Sequence, residues 1–194
     1  MKLHRREVVR RLLADRGGLL VVAGLGAPAW DVTAAGDHPL TFPLWGAMGG
    51  AAMMGLGLAL TQRKRRVLVV TGDGEMLMGL GSLATIGAQR PRNLSIVVLD
   101  NERYGETGMQ KTHTAQGVDL AGMADAAGFA RAMRVTTMAG VARLARLVRR
   151  GSGPLFAQVK VRPEKPPLVL PPRDGASLKA RFRAAIAPDL GART

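Results

Sequence analysis

Apolar positions follow two patterns along the chain, one typical of amphipathic or buried helices and one typical of strands buried on both faces. Short, largely apolar runs indicate strands, and they lie at Leu19–Ala23, Val67–Val70, Leu94–Leu99, Phe129–Val135 and Leu155–Val161. Segments with helical periodicity and suitable end signals predict helices, and they lie at Arg5–Asp15, near Trp30, and at Met48–Leu60, Leu77–Gln89, Leu120–Ala127, Thr137–Arg149 and Ser177–Ile186. The segment from Asp100 to about Val118 is predicted to be a loop.

The order of these elements predicts the fold class. Strands that alternate with helices imply right-handed crossovers and an α/β fold, in which a parallel twisted sheet is covered by helices on both faces. The segment Met48–Leu60 has almost no polar face, so this helix is expected to be buried all round. Five prolines between Pro163 and Pro172 indicate an extended arm. We therefore expect one α/β domain over residues 1–162, followed by a Pro-rich arm and a terminal helix over residues 163–194.

Composition narrows the chemistry. A chain of 194 residues is long enough for one domain with a substantial core. The sequence contains no cysteine, which excludes disulfides, thiolate metal sites and cysteine nucleophiles. This composition is compatible with a reducing cytoplasm, which is the expected location.

The formal charge of +14 raises the question of nucleic-acid binding. The basic residues are scattered or lie near the chain ends and in the run Arg63–Arg66, without aromatic platforms beside them, so we expect no nucleic acid. An acidic partner subunit or an anionic substrate explains the charge equally well. The stretch Pro39–Gln62 has no charged residue and is long enough for a membrane span, but its prolines and glycines argue against one, and we expect no membrane association.

Two loops carry the candidate chemistry, and each follows a predicted strand directly. Gly72-Asp73-Gly74 follows one strand and opens a helix, and Asp100-Asn101 follows the next strand. Ligands of open parallel sheets bind at the carboxyl ends of the strands, where helix N-termini favour anions. A carboxylate and an amide oxygen at neighbouring strand ends suit Mg²⁺ or Ca²⁺ bridging to phosphate oxygens. Either motif alone is most often a simple turn or a helix cap.

Together the two motifs resemble the thiamine-diphosphate enzymes, which carry Gly-Asp-Gly followed at this spacing by Asn-Asn. The resemblance implies that the metal ligands are Asp73, the side chain of Asn101 and the main-chain carbonyl of Arg103. It also places Gly72 and the amides of Gly74 and Glu75 at the cofactor diphosphate. The chain departs from the usual pattern at Asp100, Arg103 and Glu75, where Asn, Gly and Ser are frequent. An acid at Glu75 is unexpected beside a diphosphate.

A second resemblance lies upstream, at Leu44-Trp45-Gly46-Ala47-Met48-Gly49. It implies that Met48 acts as a wedge beneath the cofactor and forces the bent conformation needed for catalysis. The carbonyl of Gly46 would accept a hydrogen bond from the cofactor's amino group. Methionine is also a common filler of protein cores, which is the alternative interpretation of Met48.

The resemblance covers roughly Val21 to Phe129, and the stretch Asp100–Gly108 is similar to the beta subunits of sulfopyruvate and phosphonopyruvate decarboxylases. It implies a thiamine-diphosphate-dependent 2-oxo acid decarboxylase that requires thiamine diphosphate, Mg²⁺ and a small anionic 2-oxo acid. The pyrimidine-binding domain with its catalytic glutamate would belong to a separate alpha subunit, giving a hetero-oligomer such as α2β2. Polar residues of the following loop would act on the substrate, and we name Glu106, Thr107, Lys111 and His113.

Other classes remain open at this point. An acetolactate-synthase-like enzyme or a 2-oxo acid oxidoreductase module would share the same cofactor. A nicotinamide dinucleotide-binding protein is suggested by Gly24-Leu25-Gly26-Ala27-Pro28-Ala29, which follows a strand. The acidic residue expected about 20 positions later is missing from the uncharged region that follows. A non-catalytic basic binding protein would show no response to thiamine diphosphate.

Overall fold

The computed structural model describes residues 2–187. The eight strands of the described chain are β1 (Leu20–Ala23), β2 (Thr41–Pro43), β3 (Val67–Gly72), β4 (Leu94–Asp100), β5 (Arg103–Tyr104), β6 (Gln110–Lys111), β7 (Arg131–Val135) and β8 (Leu155–Lys160). Six of them form the main sheet, all parallel, in the order β2-β1-β3-β4-β8-β7. The short strands β5 and β6 form a separate antiparallel pair.

Helices connect the strands. They are α1 (Arg5–Leu13), α2 (Ala27–Ala34), α3 (Ala51–Thr61), α4 (Asp73–Met78), α5 (Ser82–Gln89), α6 (Leu120–Ala126), α7 (Met138–Arg150) and α8 (Gly175–Ile186), with a 3₁₀ helix at His113–Gln116. Two apolar clusters lie on opposite faces of the sheet, one with α1, α2 and α7 and the other with α3, α5 and α6. The α/β fold with helices on both faces is therefore confirmed.

Strand β2 was missed by the sequence patterns. It has only three residues, ends in proline and pairs along one side with β1, as an edge strand that tolerates proline can. Helix α8 covers this edge, and its Phe182 ring contacts Phe42 with ring centroids 5.5 Å apart. Residues 188–194 of the predicted second segment lie outside the described residues, and the division at residue 162 stays a prediction.

The prediction of one continuous helix at Leu77–Gln89 was wrong. The structure has two helices there, α4 and α5, separated at Gly79–Gly81. A Cβ on Gly79 would collide with the carbonyl oxygen of Gly49, so two backbone segments touch where the helix is broken. This contact fixes the loop that carries Met48 against the end of α4.

Three further boundaries differ from the predictions. The helix predicted from Met48 begins at Ala51, because residues 47–50 form the loop against Gly79. Its predicted burial on all sides was wrong, because only one face packs on the sheet and Met53, Met54 and Leu60 on the other are exposed. The segment from Asp100 to Val118 contains the β5–β6 pair and the 3₁₀ helix rather than an unstructured loop. The strand predicted from Phe129 begins at Arg131. Residues 163–172, the predicted arm, contain no helix or strand.

Candidate active site

The two candidate metal ligands lie at the carboxyl ends of adjacent strands. Strands β3 and β4 pair in a register that sets Gly72 opposite Leu99, so Asp73 and Asn101 follow directly at the same edge of the sheet. Asp73 is 1% exposed and is the first residue of α4. Both side chains line a cleft of about 190 Å³. The structure thus brings together the two motifs that the sequence analysis singled out.

Two threonines from the segment after β6 hold Asp73. Thr112 Oγ1 donates to Asp73 Oδ2 at 2.6 Å, and Thr114 Oγ1 lies 3.3 Å from the same oxygen. Burial raises the pKa of the Asp73 carboxyl to about 6; the Thr112 hydrogen bond opposes this rise, and the charge of Asp100 adds to it. Neither threonine donates a hydrogen bond to Asp73 Oδ1. A buried carboxylate with so little compensation for its charge is suited to receive a cation.

Asp100 has a different environment. It is fully buried, and it does not line the cleft. Its Oδ1 accepts hydrogen bonds from Thr114 Oγ1 at 2.8 Å and from the amide of Glu102 at 3.0 Å. Its Oδ2 accepts from Gln158 Nε2 at 2.6 Å and from Lys160 Nζ at 2.8 Å. Four donors satisfy this carboxylate internally, which explains how an acid replaces the frequent Asn at this position.

Lys160 supplies the countercharge from the end of β8. Burial opposes its charge, but hydrogen bonds to Asp100 and Glu102 outweigh that effect and raise the pKa of Lys160. Its ammonium lies 2.5 Å from Glu102 Oε1, and Lys2 Nζ lies 2.7 Å from Glu102 Oε2. Hydrogen bonds from Lys160 and Lys2 lower the pKa of Glu102 to about 2. We call Asp100, Glu102, Lys160 and Lys2 the charge network.

The charge network shapes the loop that carries the candidate ligands. Asp100 Oδ1 accepts a hydrogen bond from the amide of Glu102, and Asn101 Oδ1 accepts one from the amide of Arg103 at 2.9 Å. These are two successive Asx turns. Between them Glu102 adopts φ +64°, a left-handed conformation that is uncommon for a residue with a side chain. The turns and ion pairs hold Asn101 and the Arg103 backbone in one arrangement beside the cleft.

The structure accounts for the acid at Glu75. Its Oε2 accepts a hydrogen bond from Thr71 Oγ1 at 2.6 Å, and a Cβ on Gly24 would collide with the same oxygen. Burial raises the pKa of Glu75, while Thr71 and the nearby amides of Ala51, Gly49 and Leu25 oppose the rise. Oε1 is buried without a hydrogen bond of good geometry. The carboxylate is therefore held beside Thr71 and the start of α3, and it is the Glu75 backbone that remains for a diphosphate.

The upstream loop reaches the cleft through Met48 alone. Met48 lines the cleft, is 37% exposed, and its methyl carbon lies 3.8 Å from the position that a Cβ on Gly74 would take. It is therefore a rim residue rather than core filler. Gly46 is exposed and lies outside the cleft lining. The roles predicted for Met48 and Gly46 stay predictions.

The four polar residues that the sequence analysis named in the segment after Asn101 fall into two pairs by position. Glu106 and Thr107 line the cleft. Burial raises the pKa of Glu106, and the charge of Arg5 opposes the rise. Lys111 and His113 are exposed and lie outside the cleft lining. Because Thr112 and Thr114 turn inward to Asp73, the intervening His113 turns outward.

Several contributing residues escaped the sequence analysis. They are Arg5, Tyr104, Thr112, Thr114, Gln158 and Lys160. Lys160 was recognisable in principle, because it ends the predicted strand Leu155–Val161 at the edge where ligands bind. The threonines lie in a segment without regular periodicity. Arg5 was grouped with a terminal basic cluster, and no local pattern separates it from its neighbours.

The donor set fits Mg²⁺, which prefers carboxylate, amide and carbonyl oxygens and retains positions for phosphate and water. Between residues 2 and 187 no group of three or more His, Asp or Glu side chains is arranged to hold a metal by itself. A cation held by Asp73, Asn101 and the Arg103 carbonyl would thus share its remaining positions with a second ligand. Within the same range no helix is long and apolar enough to cross a membrane.

Comparison with known proteins indicates the family of the chain. Residues 26–159 match the family model of the thiamine pyrophosphate enzyme C-terminal TPP binding domain. The chain is 38% identical over 182 residues to the sulfopyruvate decarboxylase subunit beta of Methanothermobacter thermautotrophicus, covering 94% of this chain and 95% of that one. It is 36% identical over 184 residues to the phosphonopyruvate decarboxylase of Streptomyces viridochromogenes, covering 94% of this chain and 46% of that one.

A solved structure shares the fold. The benzoylformate decarboxylase of Polynucleobacter necessarius aligns with a TM-score of 0.70 at 20% identity, over 87% of this chain and 35% of that one. The chain therefore spans about a third of that enzyme's length.

Proposed function

The chain belongs to the family of thiamine pyrophosphate enzymes with the C-terminal TPP-binding domain, and on that premise we propose that it is the beta-type subunit of a 2-oxo acid decarboxylase. The observation that supports the proposal most strongly is the convergence of buried Asp73 and of Asn101 at adjacent strand ends on one cleft. Relatives named as decarboxylases extend over nearly the whole chain. The expected products are carbon dioxide and an aldehyde, formed from a small anionic 2-oxo acid.

In this proposal Asp73, the Asn101 amide oxygen and the Arg103 carbonyl hold Mg²⁺. The amides of Gly74 and Glu75 at the start of α4 would face the diphosphate. Gly74 has no side chain and so makes room for the ring of Tyr104, which lies only 2.6 Å from where a Cβ would be. Thr112 orients the Asp73 carboxylate by its hydrogen bond. Each group thus positions the tail of the cofactor.

Thiamine diphosphate, when bound, supplies the carbanion and electron-sink chemistry of decarboxylation. The contribution of this chain is to orient, to exclude water and to manage protons. Glu106 lies on the cleft with a pKa raised by burial, so it holds a proton up to a higher pH than an ordinary glutamate does. Its carboxylate packs over Gly26, where a Cβ would lie 2.7 Å from Oε1. Thr107 lies beside it at the cleft and donates to Gln110 at 2.9 Å.

The active site requires a second polypeptide in this proposal. A cleft of about 190 Å³ is smaller than the roughly 300–1,000 Å³ of complete small-molecule sites. Large apolar side chains are exposed near it: Met48 on the cleft, Trp45 in the same loop, Met53 and Met54 on α3, and Met78 at the end of α4. Clustered exposed apolar residues mark interaction surfaces, and methionines adapt well to a partner. A relative's name, subunit beta, agrees with a partner alpha subunit that supplies the pyrimidine-binding domain, in an assembly such as α2β2.

The dinucleotide alternative is not favoured by the geometry at Gly24–Ala29. Close backbone approach by a pyrophosphate requires open space over the glycines. Here the carboxylate of Glu75 occupies the space over Gly24, and that of Glu106 occupies the space over Gly26. Acetolactate-synthase-like and oxidoreductase chemistry share the cofactor site and differ in the step that follows the loss of carbon dioxide.

Reconstitution tests this proposal. The chain and the product of the neighbouring reading frame are purified separately, and carbon dioxide release from 2-oxo acids that carry a sulfonate or phosphonate group is measured with Mg²⁺ and thiamine diphosphate. Activity is expected only in the mixture. Replacing Met53 with Asp on the exposed face of α3 should reduce association and activity together, whereas Lys179→Ala on the exposed face of α8 should change neither. Absence of carbon dioxide release from every 2-oxo acid would refute the decarboxylase assignment.

A further inference from the structure

One buried cation of the cleft has no role in the proposed site. Arg5 lines the cleft with Asp73 and Asn101, yet it is only 6% exposed. Its Nε lies 2.9 Å from Asp31 Oδ2 as an ion pair, but neither atom has a hydrogen bond of acceptable geometry. Buried polar atoms are nearly always hydrogen-bonded, and an exception calls for an explanation such as an absent ligand.

The position of Arg5 is built by the chain around it. Leu3 forms a parallel bridge with Val161 just beyond β8, and the amide of Arg162 donates to the Leu3 carbonyl at 2.8 Å. Glu164 Oε1 accepts from the Arg5 amide at 3.1 Å, which fixes the start of α1. These contacts hold the first residue of α1 at the same edge of the sheet as the candidate metal ligands.

The neighbouring Arg6 shows what a purely structural arginine looks like here. Its Nε donates to Asp31 Oδ1 at 3.0 Å, and its Nη2 donates to the carbonyl of Pro167. Arg6 does not line the cleft. Asp31 thus faces two guanidinium groups and forms its well-aligned hydrogen bond with Arg6. The charge of Arg5 also acts on Glu106, which lines the same cleft.

The cleft extends from an open rim to an enclosed end. Met48 at the rim is 37% exposed, whereas Arg5 is 6% exposed. In the proposed site the diphosphate would be held at Asp73 and Gly74, which line the same cleft as Arg5. A terminal phosphate carries about −1.5 to −2 charge near neutral pH and accepts paired guanidinium hydrogen bonds well. Mg²⁺ beside Asp73 neutralises only part of the combined charge.

We infer that Arg5 binds the terminal phosphate of thiamine diphosphate and so positions the cofactor from the N-terminal helix. The inference rests on the proposed function, since it assigns a residue to that same site. Arg5 is thus a cofactor-binding residue, and Arg6 is the matched control one position away.

Calorimetric titration of the reconstituted complex tests the inference. Thiamine diphosphate and thiamine monophosphate are each titrated with Mg²⁺ into wild-type, Arg5→Gln and Arg6→Gln proteins. Arg5→Gln should weaken diphosphate binding about tenfold to a hundredfold, as expected for a charge-assisted contact, with little change for the monophosphate. Arg6→Gln should preserve the preference for the diphosphate. Arg5→Lys, which keeps the charge, should recover part of the affinity.

The outcomes separate the two proposals. Failure of the wild-type complex to bind thiamine diphosphate overturns the proposed function itself. Normal wild-type binding with an unchanged diphosphate preference in Arg5→Gln overturns only the inference, and a raised KM for substrate in that variant would assign Arg5 to the substrate instead. If Arg5→Gln does not fold, the inference is tested with Arg5→Lys instead. The shorter lysine side chain at a phosphate contact should still lower the preference for the diphosphate over the monophosphate.

Discussion

Removal of the Lys160 ammonium tests how the charge network supports the metal-binding loop. In the variant Lys160→Met, the fully buried Asp100 loses its cationic partner at 2.8 Å. Breaking a buried ion pair on one side typically costs about 3–5 kcal/mol, because the remaining charge is left uncompensated. Three further donors still reach Asp100, and the Lys160 side chain is 16% exposed. We therefore expect a smaller loss, of about 2–3 kcal/mol.

A second substitution should reverse most of this loss. Asp100→Asn removes the buried charge and installs the residue that is frequent in the resembled motif. In the double variant no ion is left unpaired at this position, so we expect the two changes to couple by about 1–2 kcal/mol. Urea unfolding followed by circular dichroism measures each free energy, provided that the slopes agree. Lys165→Met, on the exposed arm, is the control and should change little.

The result that would refute this reasoning is specific. A Lys160→Met variant within about 0.5 kcal/mol of wild type, the range of ordinary surface substitutions, would show that the other donors suffice for Asp100. A double variant no more stable than Lys160→Met would show that the buried charge is not the cause of the loss.

Three further predictions concern packing, pH and a control site. Gly87→Ala should destabilise the chain by about 1–3 kcal/mol, because its Cβ would collide with the Ala127 carbonyl. Gly57→Ala on α3, with nothing within 4 Å, should instead stabilise it by about 0.5–1 kcal/mol in thermal or urea unfolding; equal effects would contradict the packing account. The lowered pKa of Glu102, about 2, means that its stabilisation is present above its ordinary pKa of 4.5 and is lost as pH falls toward 2. Acid unfolding of Glu102→Gln should therefore be less steep between pH 4.5 and 2, and an unchanged profile would argue against the charge network.

The central strands of the main sheet were predictable because they are buried on both faces. Largely apolar runs such as Val67–Val70 and Leu94–Leu99 leave few alternatives to central parallel strands. Strand β2 is an edge strand, where neither burial nor length imposes such a pattern. The break between α4 and α5 depends on a tertiary contact between Gly79 and Gly49, which no periodicity within the segment encodes.

The candidate site was likewise predictable from the sequence only in part. Asp73 and Asn101 were identifiable because each directly follows a strand, so their neighbours in space are implied by the order of the strands. Thr112 and Lys160 reach the site from segments that are distant in sequence, and only the fold brings them to Asp73 and Asp100. Arg5 depends on the Leu3–Val161 bridge, a contact between opposite ends of the described chain.

The most direct test of the central claim is calorimetric titration of thiamine diphosphate with Mg²⁺ into wild-type, Asp73→Asn and Asp125→Asn chains, alone and with the partner subunit. Asp125 is an exposed carboxylate on α6 and serves as the control. Because burial raises the pKa of Asp73 to about 6, ionising it at pH 7 costs stability, and the metal-free Asp73→Asn chain should be no less stable than wild type. The account predicts saturable binding in wild type and Asp125→Asn and none in Asp73→Asn. Equal binding in Asp73→Asn, or no binding in wild type with its partner, would contradict it.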